Sequence, residues 1–86
     1  MLDDNQRGLL RVLIYPVQFD ENPTDGVDRV LKHIIQVKKI SPDEYLAAIQ
    51  AGLQGDERLS DLIPQKHTES STRMYLAAMQ RRLQNA

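Results

Sequence analysis

The sequence predicts an all-α fold, a compact bundle of four to five short helices, and three observations predict it. Apolar residues recur at helical spacing, most plainly at Val27, Val30, Leu31, Ile34 and Ile35, the i, i+3, i+4, i+7 rhythm of a helix with one buried face. The run Ser41-Pro42-Asp43-Glu44 is a capping box with proline at the first helical position. No stretch sustains the apolar–polar alternation of a half-buried strand.

The first helix is expected over residues 3–15, with Asp3 or Asp4 as its cap and both acids at the positive end of its dipole. Leu9, Leu10 and Leu13, with Val12 and Ile14 beside them, make its apolar face. A short strand over Leu10–Tyr15 competes, because Arg-Val-Leu-Ile-Tyr is rich in β-formers. Pro16 ends the element, and a two-proline loop follows. Val17 and Phe19 are expected to tuck beneath that loop.

The second helix should start at a Thr24 cap and stop near residues 37–39. The third runs from the Ser41 box to Gly55, with Tyr45, Leu46, Ile49 and Leu53 as its buried stripe and Ile40 and Tyr45 as a hydrophobic staple. Gly52 falls on that stripe. Glycine costs a helix interior about 1 kcal/mol against alanine, so its presence predicts close approach by another element. A short fourth helix is expected over residues 56–63, facing inward through Leu59, Leu62 and Ile63. The last runs from about Glu69 to Leu83 behind a Thr68 cap, burying Thr72, Tyr75, Leu76, Met79 and Leu83.

Two helices share a motif. Tyr-Leu-Ala-Ala-Ile-Gln-Ala-Gly-Leu-Gln at 45–54 returns as Tyr-Leu-Ala-Ala-Met-Gln-Arg-Arg-Leu-Gln at 75–84, identical at seven of ten positions. No third copy appears, which excludes a solenoid. The pair is architectural: two helices on one core need the same spacing.

The 86 residues have room for one domain, residues 1–86; a chain this short buries only about 60–65% of its unfolded surface. Cysteine is absent, so disulfides, thiolate catalysis and thiolate metal sites are excluded, and a cytoplasmic address is expected. The acidic N-terminus does not resemble a secretory signal, and the longest apolar run near it, Val12–Tyr15, is too short to span a membrane. The net charge of −1 hides an asymmetry. Residues 1–28 hold six acids and two bases, a net of −4, whereas residues 29–86 hold six acids and nine bases, a net of +3. Charges at helix ends serve the helices locally; an acidic N-terminal third also attracts basic partners.

Chemistry-bearing patterns are few. His33 and His67 stand 34 residues apart, outside any ligand-spaced pair. Ser70 and Ser71 follow His67 without a nucleophile-elbow context. The four glycines are scattered and form no phosphate loop. Adjacent acids fall at helix starts or in loops, where capping explains them. An enzyme is therefore not expected, nor a cofactor, nor a metal site. For nucleic acid, residues 41–63 can be drawn as a helix-turn-helix, but its second helix would carry Asp56, Glu57 and Asp61 against Arg58 alone and be repelled by phosphates. The last helix is better supplied, and Lys66, Arg73, Arg81 and Arg82 are the candidate nucleic-acid-binding residues of this second reading, a small DNA-binding regulator or antitoxin. A weaker third is a helical adaptor that homodimerises through the last helix.

Recognition of another protein is the reading that remains. The loop after the first helix sets Tyr15 and Phe19 near Asp20, Glu21, Asp25 and Asp28, aromatics for contact area and carboxylates for complementarity to a basic partner. Those six are the candidate binding residues. The run Ile14-Tyr15-Pro16, five residues, then Asn22-Pro23-Thr24-Asp25-Gly26 and a helix resembles the Tyr-Pro, acidic-loop and helix pattern of immunity proteins against colicin-type nucleases. In that family the pattern sits in the C-terminal half; here it begins at residue 14. The remainder, with Ile-Ser-Pro-Asp-Glu-Tyr at 40–45 and a closing helix rich in Tyr, Leu and Arg, is similar to the small helical immunity proteins of contact-dependent growth inhibition. The resemblance implies a cytoplasmic, four-helix inhibitor that covers the basic surface of a toxin domain, often a nuclease, with no membrane and no nucleic acid as partner.

Overall fold

In the computed structural model, described for residues 2–19, 21–36, 41–63 and 67–85, four α-helices carry the chain. They are α1 (Asp4–Ile14), α2 (Val27–Gln36), α3 (Pro42–Gln54) and α4 (Glu69–Gln84). No strand occurs among the described residues. α3 packs between α1 and α4, and α2 lies against α4. The radius of gyration is 11.5 Å, against about 12 Å for a compact chain of this length.

Capping chemistry sets the helix starts. Asp3, not Asp4, caps α1: its carboxylate accepts the Gln6 N–H at 2.7 Å, while the Gln6 side chain accepts the Asp3 N–H at 3.2 Å. This reciprocal box satisfies two of the N–H groups that a helix start leaves without partners. The strand alternative over Leu10–Tyr15 fails, because Leu9, Leu10, Leu13 and Ile14 all bury on one helical face. Ser41 and Glu44 form the expected box on α3, and the Thr68 hydroxyl accepts the Ser71 N–H at 3.1 Å to open α4.

Two expected elements change form. The second helix does not start at Thr24. Asn22 is the cap, its side chain accepting the Thr24 N–H at 3.1 Å, and a 3-10 turn over Pro23–Gly26 leads into α2. The expected helix over 56–63 shrinks to a 3-10 turn at Leu59–Asp61. The cause is competition for its backbone groups. Glu69 accepts the N–H of Leu59 at 3.0 Å and of Ser60 at 2.9 Å. Arg73 donates to the Glu57 carbonyl at 3.0 Å and, just before the segment, to those of Leu53 and Gly55 at 3.1 Å. A segment whose polar groups are held from outside has no need of helical hydrogen bonds. The end of the second helix past Gln36, the Ile40 half of the staple and the side chain of Ile35 lie outside the described residues.

The core is the sum of the buried faces: Leu9, Leu10, Leu13 and Ile14 of α1, Val27, Val30, Leu31 and Ile34 of α2, Tyr45, Ala48 and Ile49 of α3, and Tyr75, Leu76, Met79 and Leu83 of α4. Leu46 and Leu53, expected within the α3 stripe, are half-buried. Gly52 is where the close approach predicted from sequence occurs. A Cβ there would stand 3.2 Å from Leu10 Cδ1 and 3.3 Å from Leu59 Cδ2.

Candidate functional site

Among the described residues, no group of three or more His, Asp or Glu side chains could hold a metal. His67 is buried, with Nε2 2.8 Å from the Val17 carbonyl; that contact ties the start of α4 to the segment after α1. His33 is exposed on α2. The two histidines share no site.

The segment between α1 and α2 carries the most exposed large apolar groups. After Ile14 the chain tightens into a 3-10 turn, Tyr15–Val17, and Pro16 fits within it because its missing N–H is not needed there. Val17 is buried as expected. Phe19 corrects the expectation: it is 83% exposed, and Tyr15 is 66% exposed. Neither ring closes the core. The backbone beneath them is nevertheless held at two points, by Arg29 Nη2 donating to the Pro16 carbonyl at 3.3 Å and by His67 at Val17. Tyr15 therefore stands bare within a turn held at Pro16 and Val17, and Phe19 stands bare just after it.

The acids proposed alongside them do not form one patch. Glu21 and Asp25 are exposed beside the aromatic turn in the chain, and Asp20 lies outside the described residues. Asp28 belongs elsewhere. It pairs with Arg82 of α4 at 2.7 Å and lines a cleft with Thr24, Val27, Ala78 and Arg81. Tyr15 lines a different cleft, with Arg11, Val12, Pro16 and His33. On α2, Arg29 and His33 are one turn apart, while Asp28 projects from the opposite flank of the buried stripe. The helix thus separates the two clefts.

The basic residues of the second reading divide as well. Arg73, only 29% exposed at its side chain, spends its guanidinium inside the fold: Nε meets Glu69 at 2.7 Å and both Nη groups hold carbonyls. Arg82 is paired with Asp28, Arg81 is exposed, and Lys66 lies outside the described residues. Sequence reasoning missed the Arg73–Glu69 node. Its signal was the i, i+4 spacing of the pair, but that spacing does not reveal carbonyls brought in from another helix.

The carboxylates at this node respond to their surroundings. Burial acts to raise the Glu69 carboxyl, and the N–H groups of Ser60 and Leu59, Arg73 and the Ser60 hydroxyl outweigh it, leaving its pKa below the usual glutamate value. The hydrogen bond from Arg7 likewise lowers that of Glu57. Both shifts follow from structural pairing; Glu57 lines a cleft with Leu2, Ala51, Gly52, Gly55 and Asp56, where its carboxylate is taken up by Arg7 and the Leu2 N–H.

No family model, curated protein or solved structure matches the chain.

Proposed function

We propose that the chain is an immunity protein, one that binds an antibacterial toxin domain, of nuclease type, and neutralises it by covering its working surface. The observation that carries this reading is the exposure of Tyr15, on a turn held by Arg29 and His67, and of Phe19 just after it. A loop whose aromatics served the core would bury them. A turn whose backbone is held at two points with its aromatic bare is in part ordered for binding, which spares some of the entropy of ordering it on contact. Glu21 and Asp25, exposed in the same segment, supply complementarity to a basic toxin surface.

The mechanism is stoichiometric occlusion, with the two rings as anchors and the acids steering encounter. The test is co-expression with the toxin domain encoded by the neighbouring gene. The wild-type chain restores growth. The Tyr15→Ala/Phe19→Ala double variant, with unchanged helical content and melting, loses affinity by about 30-fold or more, as expected for an anchor worth about 2 kcal/mol. Rescue that survives this substitution would show that the aromatic turn is the wrong surface. No rescue by the wild-type chain, with a shift of a DNA fragment at low salt instead, would replace the reading by the DNA-binding one.

A further inference from the structure

The repeat on α3 and α4 holds more than the core uses. The buried stripes take its tyrosines, Ile49, Leu76, Met79 and Leu83. They do not take Ala47, Gln50 and Gln54 or their counterparts Ala77, Gln80 and Gln84. On α3 the three are exposed; on α4 Gln84 is exposed, and Ala77 and Gln80 are half-buried. Residues three and four apart share a helix face, so each copy of the repeat presents one outward row of Ala, Gln and Gln.

The two rows lie side by side. Arg73, near the start of α4, reaches the Leu53 carbonyl near the end of α3 at 3.1 Å, so the helices run antiparallel. Ala77, Gln80 and Gln84 follow Arg73 at helical spacing on the flank toward α3. On α3 the opposite flank is turned to α1, since Gly52 packs on Leu10 and Ala51 shares a cleft with Leu2. The rows therefore form one face over the α3–α4 seam, with Met74 beside it, 64% exposed. No charge falls at the six row positions, in a chain where 27% of residues are charged; the cores of interfaces are depleted in charge in the same way. Asp43 and Arg81 are exposed at the end of the face where α3 starts and α4 finishes. Neither is in an ion pair among the described residues.

We propose that this face docks a second copy of the chain. A two-fold axis parallel to the helices lays α3 of one protomer along α4 of its partner, antiparallel, and keeps like ends together. Each Asp43 then stands at the end where the partner's Arg81 lies, and the contact closes with two pairs of opposite charge. A strongly acidic or basic partner would meet one charge of each sign here, whereas a second copy meets both with their opposites. The glutamine amides carry donors and an acceptor, so the rows can pair with each other without a charge, and Met74 is covered by the partner's α3. The face is two helices wide and about 20 Å long, at the small end of specific interfaces, so the dimer is weak. Tyr15 lines the cleft between α1 and α2 and is no part of this face, so the inference does not rest on the immunity reading.

Sedimentation velocity of the full chain, from about 10 μM to about 1 mM, tests it. The sedimentation coefficient is expected to rise from that of a monomer to that of a dimer across this range. Met74→Glu, at an exposed position, weakens the dimer by about tenfold or more with unchanged helical content. Asp43→Arg and Arg81→Glu each weaken it alone, because each sets like charges together, and an equimolar mixture of the two variants restores it as a heterodimer. If a charge variant fails to fold, Met74→Glu decides alone. Tyr15→Ala/Phe19→Ala leaves the dimer intact. A chain that stays monomeric at the highest concentration, a dimer indifferent to Met74→Glu, or folded charge variants that do not recover on mixing would overturn the proposal. Dispersal of the dimer by Tyr15→Ala/Phe19→Ala would also overturn it, by placing the contact on the aromatic turn. If no toxin is neutralised while the dimer behaves as stated, the immunity reading fails and this inference stands.

Discussion

Arg7 of α1 and Glu57 of the α3–α4 connection, fifty residues apart in the chain, meet through two hydrogen bonds of 2.8 and 3.3 Å. Glu57 also accepts the Leu2 N–H at 3.4 Å. One carboxylate therefore holds both α1 and the segment leading into it.

The Arg7 hydrogen bond lowers the Glu57 pKa, against an opposing effect of burial, and the Leu2 N–H and nearby positive charge add to the lowering. A carboxylate with a depressed folded pKa stabilises the fold fully above its unfolded value, and that contribution fades as pH falls through the folded one. Glu69 acts in the same direction. Stability should thus be flat near neutrality and decline from about pH 4.5 downward. Urea unfolding followed by circular dichroism across that range checks it. Glu57→Gln should lower stability near neutrality and flatten the acid slope; an unchanged slope in Glu57→Gln/Glu69→Gln would refute the assignment.

Arg73 closes α3 onto α4. It donates to three carbonyls and to Glu69, so its loss leaves several part-buried acceptors unpaired. Arg73→Met should destabilise by about 2–4 kcal/mol. Arg73→Lys should recover little, because one ammonium cannot reproduce a planar fork spread over four acceptors. Chemical denaturation measures both. Had Arg73 been a surface cation for nucleic acid, either change would leave stability nearly untouched.

The four helices were legible in the sequence because their signals are local. The Ser41 and Thr68 caps, the α2 periodicity and the α4 stripe need no partner to be read. What was hidden depends on distant contacts. The residues at 56–63 have helical spacing, yet their backbone is claimed by Glu69 and Arg73. Phe19 looks like a core residue by composition, and only its placement in the fold shows that it stands outside the core. The placing of Asp28 likewise depends on a distant partner, since it goes with Arg82 of α4 rather than with Tyr15. Tyr15 and Phe19 were visible as candidates; the cleft that Tyr15 shares with Arg11, Val12, Pro16 and His33 was not, since Arg11 and His33 stand 22 positions apart in the chain.

Gly8 and Gly52 should respond in opposite directions. Both lie within helices, where alanine gains about 1 kcal/mol over glycine. A Cβ on Gly8 meets nothing within 4 Å, so Gly8→Ala should stabilise by about 0.5–1 kcal/mol. On Gly52 it presses on Leu10 and Leu59, both fully buried. Their side chains have little room to yield, and overpacking of this kind costs about 1–3 kcal/mol. Gly52→Ala should therefore be net destabilising by about 1 kcal/mol once the helical gain is offset. Thermal melts of the two variants decide it, and a stabilised Gly52→Ala would mean that the α1–α3 contact can relax.

The repeated Tyr-Leu-Ala-Ala segments yield a further contrast. Tyr45 and Tyr75 occupy equivalent stripe positions, and both are 1% exposed. The Tyr75 hydroxyl donates to the Leu13 carbonyl at 2.5 Å and so ties α4 to α1. The Tyr45 hydroxyl is buried with no hydrogen-bond partner among the described residues, and burial, then the Glu44 charge, raises its pKa. Removing a satisfied hydroxyl forfeits a hydrogen bond, whereas removing an unsatisfied one relieves a desolvation penalty. Tyr75→Phe should destabilise by about 1 kcal/mol, and Tyr45→Phe should be neutral or stabilising by up to about 1 kcal/mol. Urea midpoints measured side by side separate them, since the two substitutions delete the same atom from the same motif and differ only in what that atom touches. Equal losses at both positions would mean that the Tyr45 hydroxyl is satisfied in solution, and the asymmetry of the repeat would then lie in Ala51–Gly52 and Arg81–Arg82 alone.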